Sequence, residues 1–245
     1  MNIVIIGGGA AGFFAAITAA EADPKAHVTI LERGNAVLQK VRVSGGGRCN
    51  VTHACFDARA LTLYYPRGSR ELLGPFLQFG PADTVEWFAR RGVRLKAEAD
   101  GRMFPDTDDS QTIVECLWDT AREAGVQVRM GMRVERLEKT TTGWAVHIGK
   151  NATVLADKVF VASGSSEAMW GVLADLGHSI VPPVPSLFTF NCKDVRLREL
   201  AGVSVPKAAV RAAGTKLTTT GPLLVTHWGL SGPAVLRLSA WGARQ

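Results

Sequence analysis

Six residues near the start, Gly7-Gly8-Gly9-Ala10-Ala11-Gly12, have a spacing that lets a backbone approach phosphate. In the GxGxxG pattern the first glycine makes a tight turn, the second leaves room for a pyrophosphate, and the third lets helix and strand pack closely. The helix N-terminus beginning at Ala10 and Ala11 adds an attraction for an anion. Glu32 follows 20 residues after Gly12, where a carboxylate can accept hydrogen bonds from ribose hydroxyls. These residues together predict a site for an ADP moiety. Glu32 repels a 2′-phosphate, while Arg33 beside it keeps one from being excluded outright.

A second candidate lies at Lys40-Val41-Arg42-Val43-Ser44-Gly45-Gly46-Gly47-Arg48-Cys49-Asn50. Three consecutive glycines expose backbone N–H groups between basic side chains, which suits an anionic or electron-rich ligand. Lys40 and Arg48 can neutralise phosphate or negative charge on a reduced flavin, and Asn50 can hydrogen-bond a ring edge. A mobile surface loop would look similar. Cys49 has no partner cysteine two or three residues away, so a packing or hydrogen-bonding role is expected of it.

The elements that must position these residues are legible in outline. Ile3 to Ile6 reads as a buried strand, Ala10 to Ala22 as an Ala-rich helix and His27 to Leu31 as a second strand, completing a βαβ unit. Residues 40 to 56 read as a loop, and residues 69 to 92 as two short helices divided at Gly80-Pro81. Asp109 or Ser110 can cap a helix with Ile113, Val114, Leu117, Trp118 and Ala121 on its apolar face, followed by a parallel strand at 126 to 130. Strand-like pieces at 133–138, 144–148 and 152–155 form an antiparallel meander, which leads to a continuous apolar strand, Lys158 to Ala162, ending at Ser163-Gly164. A meander with a returning strand is the crossover of glutathione-reductase-like FAD domains rather than the further strand–helix repeats of an NAD domain. The predicted fold is therefore α/β, a FAD-binding Rossmann domain over 1–185 with Ala162, Ser163 and Gly164 at the site. An incomplete β-rich, barrel-like domain is expected over 186–245.

Composition excludes several other classes. The chain has 245 residues, 47% of them hydrophobic, and no run long and apolar enough for a membrane span. Its N-terminus enters an apolar strand directly, with no basic leader, so a cytoplasmic protein is expected. The four cysteines fit neither a CxxC pair nor a zinc site. The net charge of +6 invites a nucleic-acid reading, but the basic residues are scattered, and the densest group, Arg90 to Lys96, has no aromatic interleaving. Nucleic acid is thus disfavoured as a partner. No Ser-His-Asp, paired-carboxylate or metal-ligand constellation stands out, which fits an enzyme whose cofactor carries the chemistry.

The combination of IVIIGGGAAG, SGGGRCNVT, GRMFP at Gly101 to Pro105 and THWGLSGPAVL at Thr226 to Leu236 resembles the YhiN/BaiN family of bacterial NAD(P)/FAD-dependent oxidoreductases, the aminoacetone oxidase-like flavoproteins. The resemblance implies FAD as cofactor, NAD(P)H as a candidate electron donor and a small organic substrate. It assigns the ADP half of FAD to Gly7, Gly9, Gly12 and Glu32, and the flavin half to Ser44, Gly46, Gly47, Arg48, Cys49 and Asn50. Similarity to related FAD domains places adenine against the backbone of Val134. By the same analogy Arg102, Phe104 and Pro105 border a substrate pocket, although a plain hydrophobic turn would look the same. Family members are longer and close over the flavin with a C-terminal strand and helix, so the expectation is of a chain shortened at that end. Two alternatives stay open: a flavin-dependent RNA-modifying protein, and a non-catalytic ADP- or FAD-binding remnant.

Overall fold

A glycine after a short apolar strand turns the chain directly into a helix, and this happens where the fingerprint requires it. In the computed structural model, which describes residues 1–243, β1 (Asn2–Ile6) leads into α1 (Ala10–Ala22) and then β2 (His27–Leu31). Next come α2 (Gln39–Val43), a 3-10 turn over Ser44–Gly46, β3 (Thr52–His53), α3 (Ala58–Thr62), α4 (Ser69–Gln78) and α5 (Pro81–Ala89). The strands β4 (Leu95–Ala97) and β5 (Arg102–Pro105), the helix α6 (Ser110–Glu123) and β6 (Gln127–Arg129) follow. The meander is β7 (Val134–Lys139), β8 (Trp144–Ile148) and β9 (Ala152–Ala156), after which β10 (Lys158–Val161) and α7 (Glu167–Asp175) complete a first compact unit.

That unit comprises Met1–Leu63 and Arg70–Ile180. Its central sheet is parallel, in the order β10-β1-β2-β6. Because successive strand side chains point to opposite faces, β1 serves two cores. Ile5 packs with Phe13, Ile17, Val114 and Leu117 on the helical side, while Val4 and Ile6 pack with Val134, Leu137 and Val146 of the meander on the other. In α1 the buried Phe13, Ala16, Ile17 and Ala20 fall on one helical stripe. The Asp109 carboxylate accepts from the Gln111 N–H and starts α6.

The second unit comprises Tyr64–Ser69 and the chain from Val181 onward; Arg244 and Gln245, the last residues of the expected 186–245 domain, lie outside the described residues. It contains β11 (Phe190–Asn191), β12 (Ser204–Arg211), β13 (Thr218–Thr226) and β14 (Gly229–Ser231), ordered β11-β14-β13-β12 in an antiparallel sheet, with α8 (Pro233–Gly242) packed against it.

Three expectations need correction. Residues 40 to 56 are not one loop: Val41 is buried, and it anchors the single helical turn of α2. The strand Lys158–Val161 lies at a sheet edge, which leaves Phe160 48% exposed. Trp118 sits on the rim of the α6 face, tilted against Phe13 at 6.0 Å and still partly exposed. Among the described residues no helix is long and apolar enough to cross a membrane, and no cluster of His, Cys, Asp and Glu is arranged for a metal.

Candidate cofactor site

The order β10-β1-β2 places neighbours on both sides of β1, so a crevice opens beyond the carboxyl ends of these strands, where α/β sheets bind ligands. Gly7 turns there with φ +113, donating its N–H to Leu31 O at 2.9 Å. A Cβ on Gly7 would lie 2.5 Å from the Ala162 carbonyl oxygen, and one on Gly12 would lie 1.9 Å from the Gly7 carbonyl oxygen. Both glycines are therefore demanded by the packing of the protein itself. Gly9 is different: a Cβ there meets nothing within 4 Å, and its φ of −89 is open to any residue. No neighbour in the chain explains a glycine at that position. The space lies at the N-terminus of α1, whose first turn, with Ala10 and Ala11 exposed, leaves N–H groups without intrahelical partners. The space and the N–H donors there leave room for an anion.

Glu32 leaves β2 with its carboxylate in two charge-assisted bonds, accepting from the Gly8 N–H at 2.7 Å and the Gly34 N–H at 2.7 Å. A carboxylate has about four acceptor positions, so two bonds to the backbone leave capacity for ribose hydroxyls. Glu32, Arg33, Gly7, Val134 and Ser163, drawn from four separated stretches of sequence, line one partly open cleft of about 60 Å³. Met132, Arg133, Ser166 and Met169 line it too. The sequence reading did not include these four. Ser166 stands at the N-cap of α7, and a serine immediately before a helix with Glu167 in its first turn was the available signal.

The glycine-rich loop is tied to this cleft through the backbone, since the Leu38 N–H donates to the Gly8 carbonyl at 2.8 Å. From α2 the Lys40 ammonium reaches Ser165 Oγ at 3.2 Å, beside Gly164, so the helix before the loop and the segment after β10 meet. Ser44 closes α2 by donating its hydroxyl to Val41 O at 2.9 Å. Gly45, Gly46 and Gly47 are all left-handed, with φ +57, +71 and +87. At Gly45 a Cβ would also meet Asn50 N at 2.7 Å and the Phe104 ring at 2.8 Å. Ser110 fastens the loop from the other side, its N–H on Gly47 O and its hydroxyl on Arg42 O.

Arg48 stacks over the Phe104 ring at 4.0 Å and is paired to Glu98 at 2.5 Å and Asp108 at 3.4 Å. The bond to Glu98 holds the guanidinium firmly protonated, and Asp108 is held below the usual carboxylate range, first by Lys96 and then by Arg48. Phe104 has no exposed surface and lies under the loop, against Gly45 and Arg48, and Pro105 is also buried. Cys49 is 6% exposed with φ +61, and burial pushes its thiol up, away from the thiolate that redox or nucleophilic chemistry needs. Asn50 is exposed. The loop from Ser44 to Asn50 thus rests on the β3-β5-β4 sheet, and none of its residues lines the cleft.

Known proteins carry the same arrangement of sequence. The chain is 32% identical to the 3-dehydro-bile acid delta(4,6)-reductase of Clostridium scindens over 97% of its own length and 59% of that protein. It is 30% identical to the ribosomal RNA dihydrouridine synthase of Escherichia coli K12, over 98% of this chain and 60% of that one. The corresponding synthase of Haemophilus influenzae is 28% identical, with 96% and 60% covered. The chain therefore spans about three fifths of the length of these curated relatives. Among solved structures, the 3-ketosteroid-delta4-(5alpha)-dehydrogenase of Rhodococcus jostii RHA1 superposes at a TM-score of 0.49 with 18% identity, covering 65% of this chain and 44% of that one. Residues 1–231 match the HI0933-like protein Rossmann domain, and the chain belongs to that family, the YhiN/BaiN family that its sequence resembles.

Proposed function

We propose that the chain binds FAD in the cleft at the end of β1 and serves the reduction of a carbon–carbon double bond conjugated to a carbonyl, with NAD(P)H as electron donor. The observation that carries the cofactor reading is Gly9, a glycine with open space around it at a helix N-terminus. In this reading Gly9, Ala10 and Ala11 hold the pyrophosphate, Glu32 takes the ribose, and the Val134 backbone meets adenine. Ser163 and Gly164 border the path toward the loop of Ser44 to Asn50, which takes the flavin half. Lys40, bonded to a neutral hydroxyl, offers its charge to an anion; Arg48 shares its charge with two carboxylates and acts through the shape of the loop. Bound FAD supplies hydride transfer through N5, and the protein contributes orientation, fixed dipoles and exclusion of water.

The substrate class rests on the chemistry in the names of the relatives. A 3-dehydro-delta(4,6) bile acid is a ring ketone with double bonds, and dihydrouridine is uridine whose ring double bond has been saturated. Both bonds become electrophilic through a carbonyl. A uridine in RNA is accordingly a second substrate reading beside a small organic molecule.

The test is the absorbance spectrum of the purified chain after FAD is added and free cofactor removed, followed by anaerobic addition of NADH or NADPH. Retained flavin bands that bleach with one of the two nucleotides are expected. A chain that retains no flavin and shows no affinity for ADP overturns the assignment.

A further inference from the structure

The net charge of the chain is not spread over the fold. The second unit holds nine of the 28 Lys and Arg but only Asp194 and Glu199 of the 22 Asp and Glu, a net of +7. The first unit keeps 19 basic against 20 acidic residues, a net of −1. The run from Arg90 to Lys96, the densest basic group in the sequence, is neutralised where it lies: Arg90 pairs with Glu86, Arg91 with Glu21, Arg94 with Asp106 and Lys96 with Asp108. Among the described residues of the second unit, the one ion pair is Arg196 with Asp194, whose carboxyl that arginine lowers to about 2. The excess of positive charge there is uncompensated.

Part of it stands on a polar sheet face. Thr219, which donates its hydroxyl to Ala234 O, and the buried Val225 turn toward α8. Strand alternation then sends Thr218, Thr220 and Leu224 to the other face. Their ladder partners Arg211, Ala209 and Ser204 share that face, and Lys216 stands exposed at the adjoining hairpin tip. A sheet face meant for another sheet is apolar; this one sets hydroxyls and a guanidinium, the groups that bind phosphate oxygens, beside Ala209 and Leu224. Trp228, 54% exposed in the turn between β13 and β14, adds an aromatic surface of the kind on which unpaired bases stack.

We infer that the second unit is an RNA-binding surface, with Arg211, Lys216, Thr218 and Thr220 contacting the phosphate backbone and Trp228 a base. This goes beyond the cofactor reading and does not depend on it.

The experiment is fluorescence anisotropy of a labelled, uridine-containing single-stranded RNA titrated with the full chain at several salt concentrations. The variants are Arg211→Ala with Lys216→Ala, Trp228→Ala, and Arg90→Ala with Arg94→Ala as the basic-run control. Each is checked for an unchanged melting curve. Salt-dependent binding by the parent chain is expected. The first variant should lower affinity at least about fivefold and reduce the slope of log affinity against log salt by about 1.4, at ~0.7 for each lost phosphate contact. The Trp228 variant should weaken binding with the slope unchanged, and the control should bind as the parent does. No binding at low salt, or a loss confined to the Arg90 and Arg94 variant, overturns the proposal. Equal affinity and slope for heparin overturns it in favour of a general polyanion site. Self-association abolished by the same substitutions, with no RNA shift, overturns it in favour of a second copy of the chain. FAD retention in each variant is measured in parallel, so failure of the RNA surface and failure of the cofactor reading give different results.

Discussion

At the residue scale, the three glycines of one fingerprint serve two masters. Gly7 and Gly12 are fixed by carbonyl oxygens of the chain itself, whereas Gly9 faces open space. Substitution should therefore separate stability from binding. Gly12→Ala drives a methyl into the Gly7 carbonyl, an overpacking cost above about 3 kcal/mol, and should lower the melting temperature sharply. Gly9→Asp should change the stability of the ligand-free protein by less than about 0.5 kcal/mol, while abolishing binding of ADP and FAD in a calorimetric titration, because a carboxylate then occupies the pyrophosphate position. Unchanged FAD affinity in Gly9→Asp would sink the cofactor assignment. The residue types at this site were legible in the sequence because each glycine answers a local requirement. The partners of Arg48 were not, since Glu98 and Asp108 lie 50 and 60 residues away and only the fold brings them to one side of Phe104.

At the scale of elements, the βαβ unit, the meander and the returning strand were readable from apolar runs and glycine stops. What escaped was whatever depends on strand order and on short-range geometry. Phe160 is exposed because β10 is an edge, and no pattern within the strand says so. The turn of α2 escaped because it begins at Leu38, a buried leucine in the left-handed region with φ +58, where no capping side chain marks a start. Leu38 also carries the bond to Gly8 that ties the two candidate loops together. The same junction gives Glu32 a second duty. Its two oxygens already satisfy the Gly8 and Gly34 N–H groups, so the carboxylate joins β2, the fingerprint turn and the following loop before any ribose arrives. In Glu32→Gln one oxygen becomes an NH₂ facing an N–H, leaving a half-buried donor unsatisfied at a cost of about 1–3 kcal/mol. Urea unfolding of the ligand-free variant should show this loss. A midpoint equal to that of the parent would confine Glu32 to the ligand.

On the scale of the whole molecule, the chain does not pass from one unit to the next only once. Tyr64–Ser69 leaves the first unit, joins the second and returns, long before the chain reaches Val181. A reading that divides a sequence at proline-rich junctions has no means of finding six residues lent to a distant partner. The attachment is specific: the half-buried Arg67 donates to the Ala240 carbonyl at 2.7 Å, near the end of α8, where cations complement the exposed carbonyls of a helix. Arg67→Ala removes one such bond, worth about 1 kcal/mol, and leaves that carbonyl to water. Hydrogen exchange read peptide by peptide should then show α8, over Pro233–Gly242, opening roughly fivefold more readily. The amides of β1, α1 and β2 should exchange as in the parent, since the first unit has its own two cores. Equal acceleration in both units would mean that they open as one cooperative body; no change in α8 would mean that the lent segment rides on the second unit without supporting it.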